Sequence, residues 1–344
     1  MASVSGSSDG TGSDTTVTMA TSAPSTTGSV ASDTTVTGAE AATTTPGNAN
    51  ISVRSYFYIL PYPLPAGTPV PYTPGLPNVN PLNYPPHAFE PTSTLVLTST
   101  SKVFIDIRIF KRIQPSDPEL PNDGGHRERL EWAFAGKSTS YAIPDPHATP
   151  QHAGGGQGQE QGRQWVGPVQ HAIWSHWVDS RYPVGAIAPK DEGTMYPVSA
   201  TQTLEHGSSI NPYTGAMMSY EEMWLDVPVQ TCFPSTSKFS IVLVLDAPEA
   251  KVRGVVIRLG QYCQGIIVRD AVSTIERWGF EEKKGKNGKV VGGDWKRVAR
   301  IGDDFLPCAT TFQPEILTVG GRVRYGNHEW FVDEKVEWQD VMGQ

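Results

Sequence analysis

The stretch KVFIDIRIF at 102–110 alternates with a period of two. Val103, Ile105, Ile107 and Ile109 fall on one face, and Lys102, Asp106 and Arg108 on the other. A helix would scatter these residues around its circumference, whereas a strand sorts them into an apolar and a polar side. The chain repeats strand-sized segments of this kind. They are ISVRSYFYIL at 51–60, STLVLTS at 93–99, VQHAIWSHWVDSR at 169–181, FSIVLVLDA at 239–247 and VRGVVIRLGQYCQGIIVRD at 252–270. STIERWGFEEKKGKNGKVV at 273–291 reads as a strand entering a hairpin with Asn287-Gly288 at its turn, and ILTVGGRVRYGNHEWFVDEKVEW closes the chain as two or three short strands. Many short strands joined by turns, with little helix, predict an all-β sandwich or barrel. One short helix is expected at SYEEMW, where Ser219 followed by Glu222 has the spacing of a capping box.

LEWAFAG at 130–136 carries a second kind of asymmetry. As a strand it puts Trp132, Phe134 and Gly136 on one face and Glu131, Ala133 and Ala135 on the other. One side is bulky and aromatic, the other small, which suits the wall of a closed or layered structure.

Three segments stand apart by composition. Residues 1–50 hold no aromatic residue, no Leu, Ile, Lys or Arg, and repeat SDTTVT at 13–18 and 32–37. Such a segment cannot bury enough apolar surface to offset the entropy of ordering it and is expected to be disordered. The proline-crowded stretch 61–91 and the Gly/Gln-rich stretch 144–162 read as loop insertions, because proline lacks the N–H that a sheet interior needs. The expected organisation is a tail over 1–50, a first domain over 51–228 holding both insertions, and a second, smaller domain over 229–344.

Chemistry is sparse. No charged segment followed by an apolar one opens the chain, and IVLVL at 241–245 is too short to span a bilayer, so neither secretion nor a membrane is expected. The net charge of −8 gives no general attraction to nucleic acid. Cys232, Cys263 and Cys308 form no CxxC pair, and Cys263 inside a strand-like run reads as a small buried hydrophobe. His171, His176 and Asp179 resemble a metal set, but a separation of five sends the two imidazoles to opposite faces of a strand. Structural or surface roles are expected for both. Lys283, Lys284, Lys286, Lys289, Lys296, Arg297 and Arg300 flank a hairpin tip, where solvated cations are ordinary. No nucleophile elbow, P-loop or dinucleotide fingerprint is present, and an enzyme is not expected; no cofactor is assigned.

With these residues laid out, the chain resembles the fungal Hri proteins, a family named for interaction with a yeast casein kinase 1 homologue. The resemblance is carried by LEWAFAG, WVDS at 177–180, the Gly and Tyr-Pro of DEGTMYP at 191–197, SYEEMW at 219–224, GVVIRLGQYCQG at 254–265, and Gly326, Trp330 and Val332. It implies two unequal, lipocalin-like antiparallel β-barrels, with Gly136 letting its strand bend at the rim. Trp132, Phe134, Trp177, Asp106 and Arg108 are then the candidates for barrel interior or ligand lining. It further implies a non-enzymatic interaction protein of cytoplasm and nucleus, a partner of a casein-kinase-1-type kinase. The alternative is a carrier of a small apolar ligand or haem. Volume discriminates between them: a barrel plugged by Trp132 and Phe134 has no room for a ligand, whereas a large cavity favours the carrier.

Overall fold

The computed structural model describes residues 17–18, 49–60, 62–63, 90–112, 114–146, 165–210 and 215–340. Most of the 1–50 tail and of both insertions lies outside the described residues, so the expectation of disorder there does too. Within the tail, Val17–Thr18 (β1) pairs in parallel with Val323 and Arg324.

The described chain is almost entirely antiparallel β-structure, in two sheets. The first contains β2 (Asn50–Leu60), β3 (Thr92–Thr98), β4 (Val103–Phe110), β5 (Leu130–Ala142), β6 (Gln170–Trp174), β7 (Val178–Asp179), β8 (Asp191–Ser199), β9 (Gln202–Ile210) and β10 (Met217–Val227). Their order is β4-β3-β2-β10-β9-β8-β6-β5-β7, and β4 also pairs with β5 from Val103↔Lys137 to Ile109↔Leu130. That last ladder closes eight of the strands into a barrel, while β7 pairs with β5 at Phe134 and Ala135 on the edge that β6 occupies further along.

The second sheet contains β11 (Lys238–Ala247), β12 (Val252–Leu259), β13 (Tyr262–Arg269), β14 (Val272–Lys284), β15 (Val290–Ile301), β16 (Arg322–Tyr325) and β17 (His328–Trp338). Its order, β1-β16-β17-β11-β12-β13-β14-β15, is not closed by any pairing among the described residues. It is a half-barrel. Its far face is covered by two 3-10 turns, Pro307–Phe312 and Pro314–Ile316.

The two sheets share one apolar seam. Ile105, Ile107 and Ile109 of β4, Ala133 and Ala135 of β5, and Leu95 and Leu97 of β3 pack with Val255, Ile257, Ile266, Val268 and Ile275 of the half-barrel. The apolar face of KVFIDIRIF is therefore the outside of the barrel, and the small side chains of LEWAFAG admit the second sheet. Two polar residues also cross the seam. Gln264 Nε2 donates to the Leu95 carbonyl at 2.8 Å, and Arg277 donates to Gln264 Oε1 at 2.7 Å and to the Ile107 carbonyl at 2.8 Å. Strands of the half-barrel are buried on both faces, which is why IVLVL and GVVIRLG read as continuous apolar runs rather than alternating ones.

Two local expectations change. SYEEMW is not helical: it lies inside β10, hydrogen-bonded to β2 on one side and β9 on the other. Ladders on both sides outweigh a local cap, because they satisfy every backbone group that a cap would only start to satisfy. Gly136 does not act by bending alone. A Cβ there would sit 1.9 Å from the Ser175 carbonyl oxygen, so glycine is required by the close approach of the β6–β7 connection. Asn287-Gly288 does form the β14–β15 turn, with Gly288 at φ 76°.

Candidate functional site

The barrel encloses a cavity of about 690 Å³. Alternation along β4 turns Phe104, Asp106, Arg108 and Phe110 inward, opposite the isoleucines of the seam. On β5, Trp132 and Phe134 line the cavity as the alternation predicts. Glu131 lines it as well, because the β4–β5 register slips between Arg108↔Trp132 and Ile109↔Leu130, leaving Glu131 as a bulge. The strict pattern placed Glu131 outside; the bulge brings it in. Across the lumen, β10 supplies Tyr220, Glu222 and Trp224, and β9 supplies Glu205. Gly207 stands opposite Tyr220, and a Cβ there would lie 2.4 Å from the phenol oxygen, so the glycine lets the ring lie flat against the wall. Exposed Ile210 and Met217, the last residue of β9 and the first of β10, mark a mouth.

Four of the five candidates, Asp106, Arg108, Trp132 and Phe134, meet around this cavity. Trp177 does not. It sits in the turn before β7, packs against the seam and carries the Arg253 guanidinium 5.1 Å from its ring. The neighbouring residue, His176, takes the inward direction instead, because successive side chains of an extended segment point to opposite sides.

The interior is strongly ionic. Arg54 of β2 bonds Glu90 at 2.6 Å and Glu222 at 2.5 Å; Arg108 bonds Asp106 at 2.8 Å and reaches Glu222 at 3.4 Å. Burial opposes the charge on both guanidiniums, but the facing carboxylates outweigh it and hold both protonated. Burial is the larger effect on Asp106 and pushes its carboxyl up despite Arg108. Glu205 accepts from Trp224 Nε1 at 2.8 Å and from Tyr220 at 3.1 Å, yet burial and the nearby Glu222 and Asp191 push it up to about 8, so it is mostly neutral at pH 7.

His176, expected in a structural or surface role, is buried in the lumen wall, with Asp191 a partner that its sequence neighbourhood does not show. Its Nδ1 meets Asp179 at 2.7 Å and its Nε2 meets Asp191 at 2.9 Å, while its ring stacks on Phe134 with centroids 4.3 Å apart. Burial alone would lower its pKa, but the two carboxylates prevail and raise it to about 9. It is an imidazolium at neutral pH, with both nitrogens donating. Asp179 also accepts from Trp132 Nε1 at 2.9 Å, tying the aromatic wall to the same clamp. His171, by contrast, pairs with Glu192 nearer the surface. Among the described residues no group of three His, Cys, Asp or Glu is arranged to hold a metal ion, and no helix is long and apolar enough to cross a membrane.

A second hollow lies on the half-barrel, between Phe239, Arg258, Trp295 and Phe312. Its arginine and its aromatic stack are already engaged. Arg258 donates to the Gly260 and Thr311 carbonyls, and Trp295 and Phe312 stack on each other with centroids 4.1 Å apart. All three cysteines are free and buried, Cys263 fully so.

A closed barrel joined through an apolar seam to an open half-barrel, with an ionic lumen in the first, defines an all-β two-sheet protein. Residues 80–334 match the family described as Protein HRI1, and the chain belongs to that family. Among solved structures it is similar to an uncharacterised protein from Saccharomyces cerevisiae, at 19% identity and a TM-score of 0.48, covering 84% of this chain and 99% of that one. No curated protein matches it.

Proposed function

We propose that the first barrel is a small-molecule site and that the protein is a non-enzymatic carrier or sensor of an amphipathic organic ligand. The observation that carries this reading is the hollow interior. At about 690 Å³ the lumen falls within the range of sites for drug-sized ligands, roughly 300–1,000 Å³. Trp132 and Phe134 line it instead of plugging it, which reverses the order of the two readings that the sequence left open. The lining mixes aromatic and aliphatic surface (Trp132, Phe134, Phe57, Ile59, Met195) with ion-paired residues, two of which, Asp106 and Glu131, keep a carboxylate oxygen that a purely apolar occupant would leave unpartnered. Haem fits poorly. His176 is the imidazole lining the cavity among the described residues, and both its nitrogens are committed to carboxylates. The partnership with a casein-kinase-1-type kinase implied by the family resemblance draws on no feature of the described surface.

The test is native mass spectrometry of the protein purified from its own cells, paired with displacement of an environment-sensitive dye. A bound species of a few hundred daltons should be retained and should compete with the dye. Val96→Phe, which fills the lumen from β3, should abolish both signals while leaving the fold intact. Absence of any bound species together with dye binding unaffected by Val96→Phe would overturn the carrier reading.

A further inference from the structure

We infer that the lumen selects a ligand whose polar end donates hydrogen bonds, an amine or a hydroxyl, over one that ends in a carboxylate. The inference rests on the carrier reading and assigns the chemistry of its polar end. Cationic side chains inside a barrel would ordinarily suggest an anionic ligand. Here those cations are already taken. Arg54 is held between Glu90 and Glu222, and Arg108 between Asp106 and Glu222, with Glu222 shared by both. At the mouth, Arg181 pairs with Glu131 at 2.5 Å and lies 4.1 Å from the centroid of Trp132. A ligand anion would have to displace one of these carboxylates.

The unanswered atoms are of the opposite kind. Asp106 and Glu131 line the lumen, and Asp106 Oδ1 and Glu131 Oε2, buried in its wall, have no hydrogen-bond partner. Asp106 is 3% exposed, with Oδ2 occupied by Arg108 and Oδ1 free. Both belong to neighbouring rungs of the β4–β5 ladder: Asp106 stands opposite Phe134, Arg108 stands opposite Trp132, and Glu131 is the bulge beside it. Buried carboxylate oxygens without a donor are costly and uncommon. A ligand that brings donors to this wall removes that cost, and its apolar body then runs along Phe134 and Phe104. A carboxylate there would add negative charge against two open acceptors.

Four probes with the same alkyl chain separate the possibilities: decylamine, decanol, decanoate and decyltrimethylammonium, each below its aggregation threshold. They are read by calorimetry and by quenching of tryptophan fluorescence. Decylamine and decanol should bind at least about tenfold more tightly than decanoate, the equivalent of one hydrogen bond to a charged group. Decyltrimethylammonium, a cation without a donor, should also be weak. Asp106→Asn should narrow or reverse the preference, because the amide turns its oxygen to Arg108 and its NH₂ to the lumen. Glu131→Gln, at a half-buried position, makes the same exchange with Arg181 and covers the case in which Asp106→Asn does not fold. Equal binding of all four probes, or a preference for decanoate, overturns the donor assignment and leaves the carrier reading standing. If no probe binds and Val96→Phe changes nothing, the carrier reading fails and this assignment with it.

Discussion

In the closed barrel, residues that face away from the seam are Phe104, Asp106, Arg108 and Glu222; in the half-barrel, the corresponding face carries Ile241, Leu243, Val256, Cys263 and Ile267. The first set looks into a cavity of about 690 Å³. The second is covered by Leu306, Cys308, Leu317 and Trp330, all buried. Both sheets use the same seam and the same antiparallel ladders, so the difference lies in what each strand offers on its second face. Polar and charged residues opposite an apolar seam cannot be packed dry, and they keep a space where they answer one another. Apolar residues on both faces demand a cover, and the chain supplies one from its 3-10 turns. The barrel's lumen lies behind a closed wall, whereas the half-barrel packs its apolar face without closing and keeps its hollow at the Phe239–Trp295 end.

The sharpest way to break this comparison is to delete one tryptophan from each half. Trp330 is fully buried, and Trp330→Ala should cost about 3–5 kcal/mol in urea denaturation through lost burial and the cavity it leaves. Trp132 already borders empty space, so Trp132→Ala should cost less, about 2 kcal/mol, mostly its burial on one side and its bond to Asp179. Equal losses would mean that Trp132 is a plug in solution and that the lumen is not hollow.

The part of this contrast that was legible in the sequence is the part governed by alternation. The two faces of KVFIDIRIF and the large and small sides of LEWAFAG are period-two patterns, and they place Asp106, Arg108, Trp132 and Phe134 in the lumen. What was not legible depends on partners distant in sequence. The helix expected at SYEEMW failed because β2, more than a hundred residues earlier, pairs along it. Glu131 faces inward because of a register slip set by two strands together. His176 is clamped between Asp179, close by, and Asp191, fifteen residues on and fixed by the start of β8. Trp177 of the WVDS motif packs at the seam, while its neighbour His176 faces the lumen.

Next in size is the ionic interior. Glu222→Gln leaves Arg54 and Arg108 sharing fewer counter-charges in a buried site, and it should destabilise by about 3 kcal/mol. Replacing Arg54, Glu90 and Glu222 together by Met should cost less than Glu222→Gln alone, because Arg108 keeps Asp106 and no charge is then stranded by its partner's loss. A Glu222→Gln variant as stable as the parent would show that water answers these guanidiniums, and the lumen would be wetter than its lining suggests.

Two lumen groups are shifted in separable pH windows, and removing each in turn isolates its share of the stability curve. His176 has its pKa raised from 6.5 to about 9; its contribution is complete below 6.5 and is lost as pH rises through about 9. The upper limit is about 3 kcal/mol. Glu205, raised to about 8, acts over a lower window. It ionises in the unfolded chain near 4.5 but stays neutral when folded, so stability falls as pH rises from 4.5 towards 8. Glu205→Gln should flatten the lower window and His176→Gln the upper one. If the two variants and the parent show parallel stability curves from pH 5 to about 10, neither group is held as the structure places it.

The smallest expected effect concerns the join between the halves. Glu334 of β17 accepts from the backbone N–H of Thr100 at 3.1 Å and of Ser101 at 2.8 Å, and from Ser99 Oγ at 3.1 Å, so one half-barrel carboxylate caps the β3–β4 turn of the barrel. Burial disfavours its charge, but these donors prevail and lower its pKa below 4.5. Its contribution is therefore full above 4.5 and is lost as pH falls through the lowered value. Glu334→Gln keeps the shape but weakens these charge-assisted bonds and the one from Ser240 Oγ, and should cost about 1–2 kcal/mol. Because the turn is on the barrel and the carboxylate on the half-barrel, the effect should appear locally before it appears globally. Amide exchange at Thr100 and Ser101 should quicken in Glu334→Gln, and in the parent as pH falls below 4.5, while Ile105 and Ile107 at the seam keep their protection. Uniform loss of protection across both sheets would mean that the halves unfold as one unit and that the carboxylate holds the whole molecule. Unchanged exchange at both amides would mean that the seam alone joins the hollow half to the filled one.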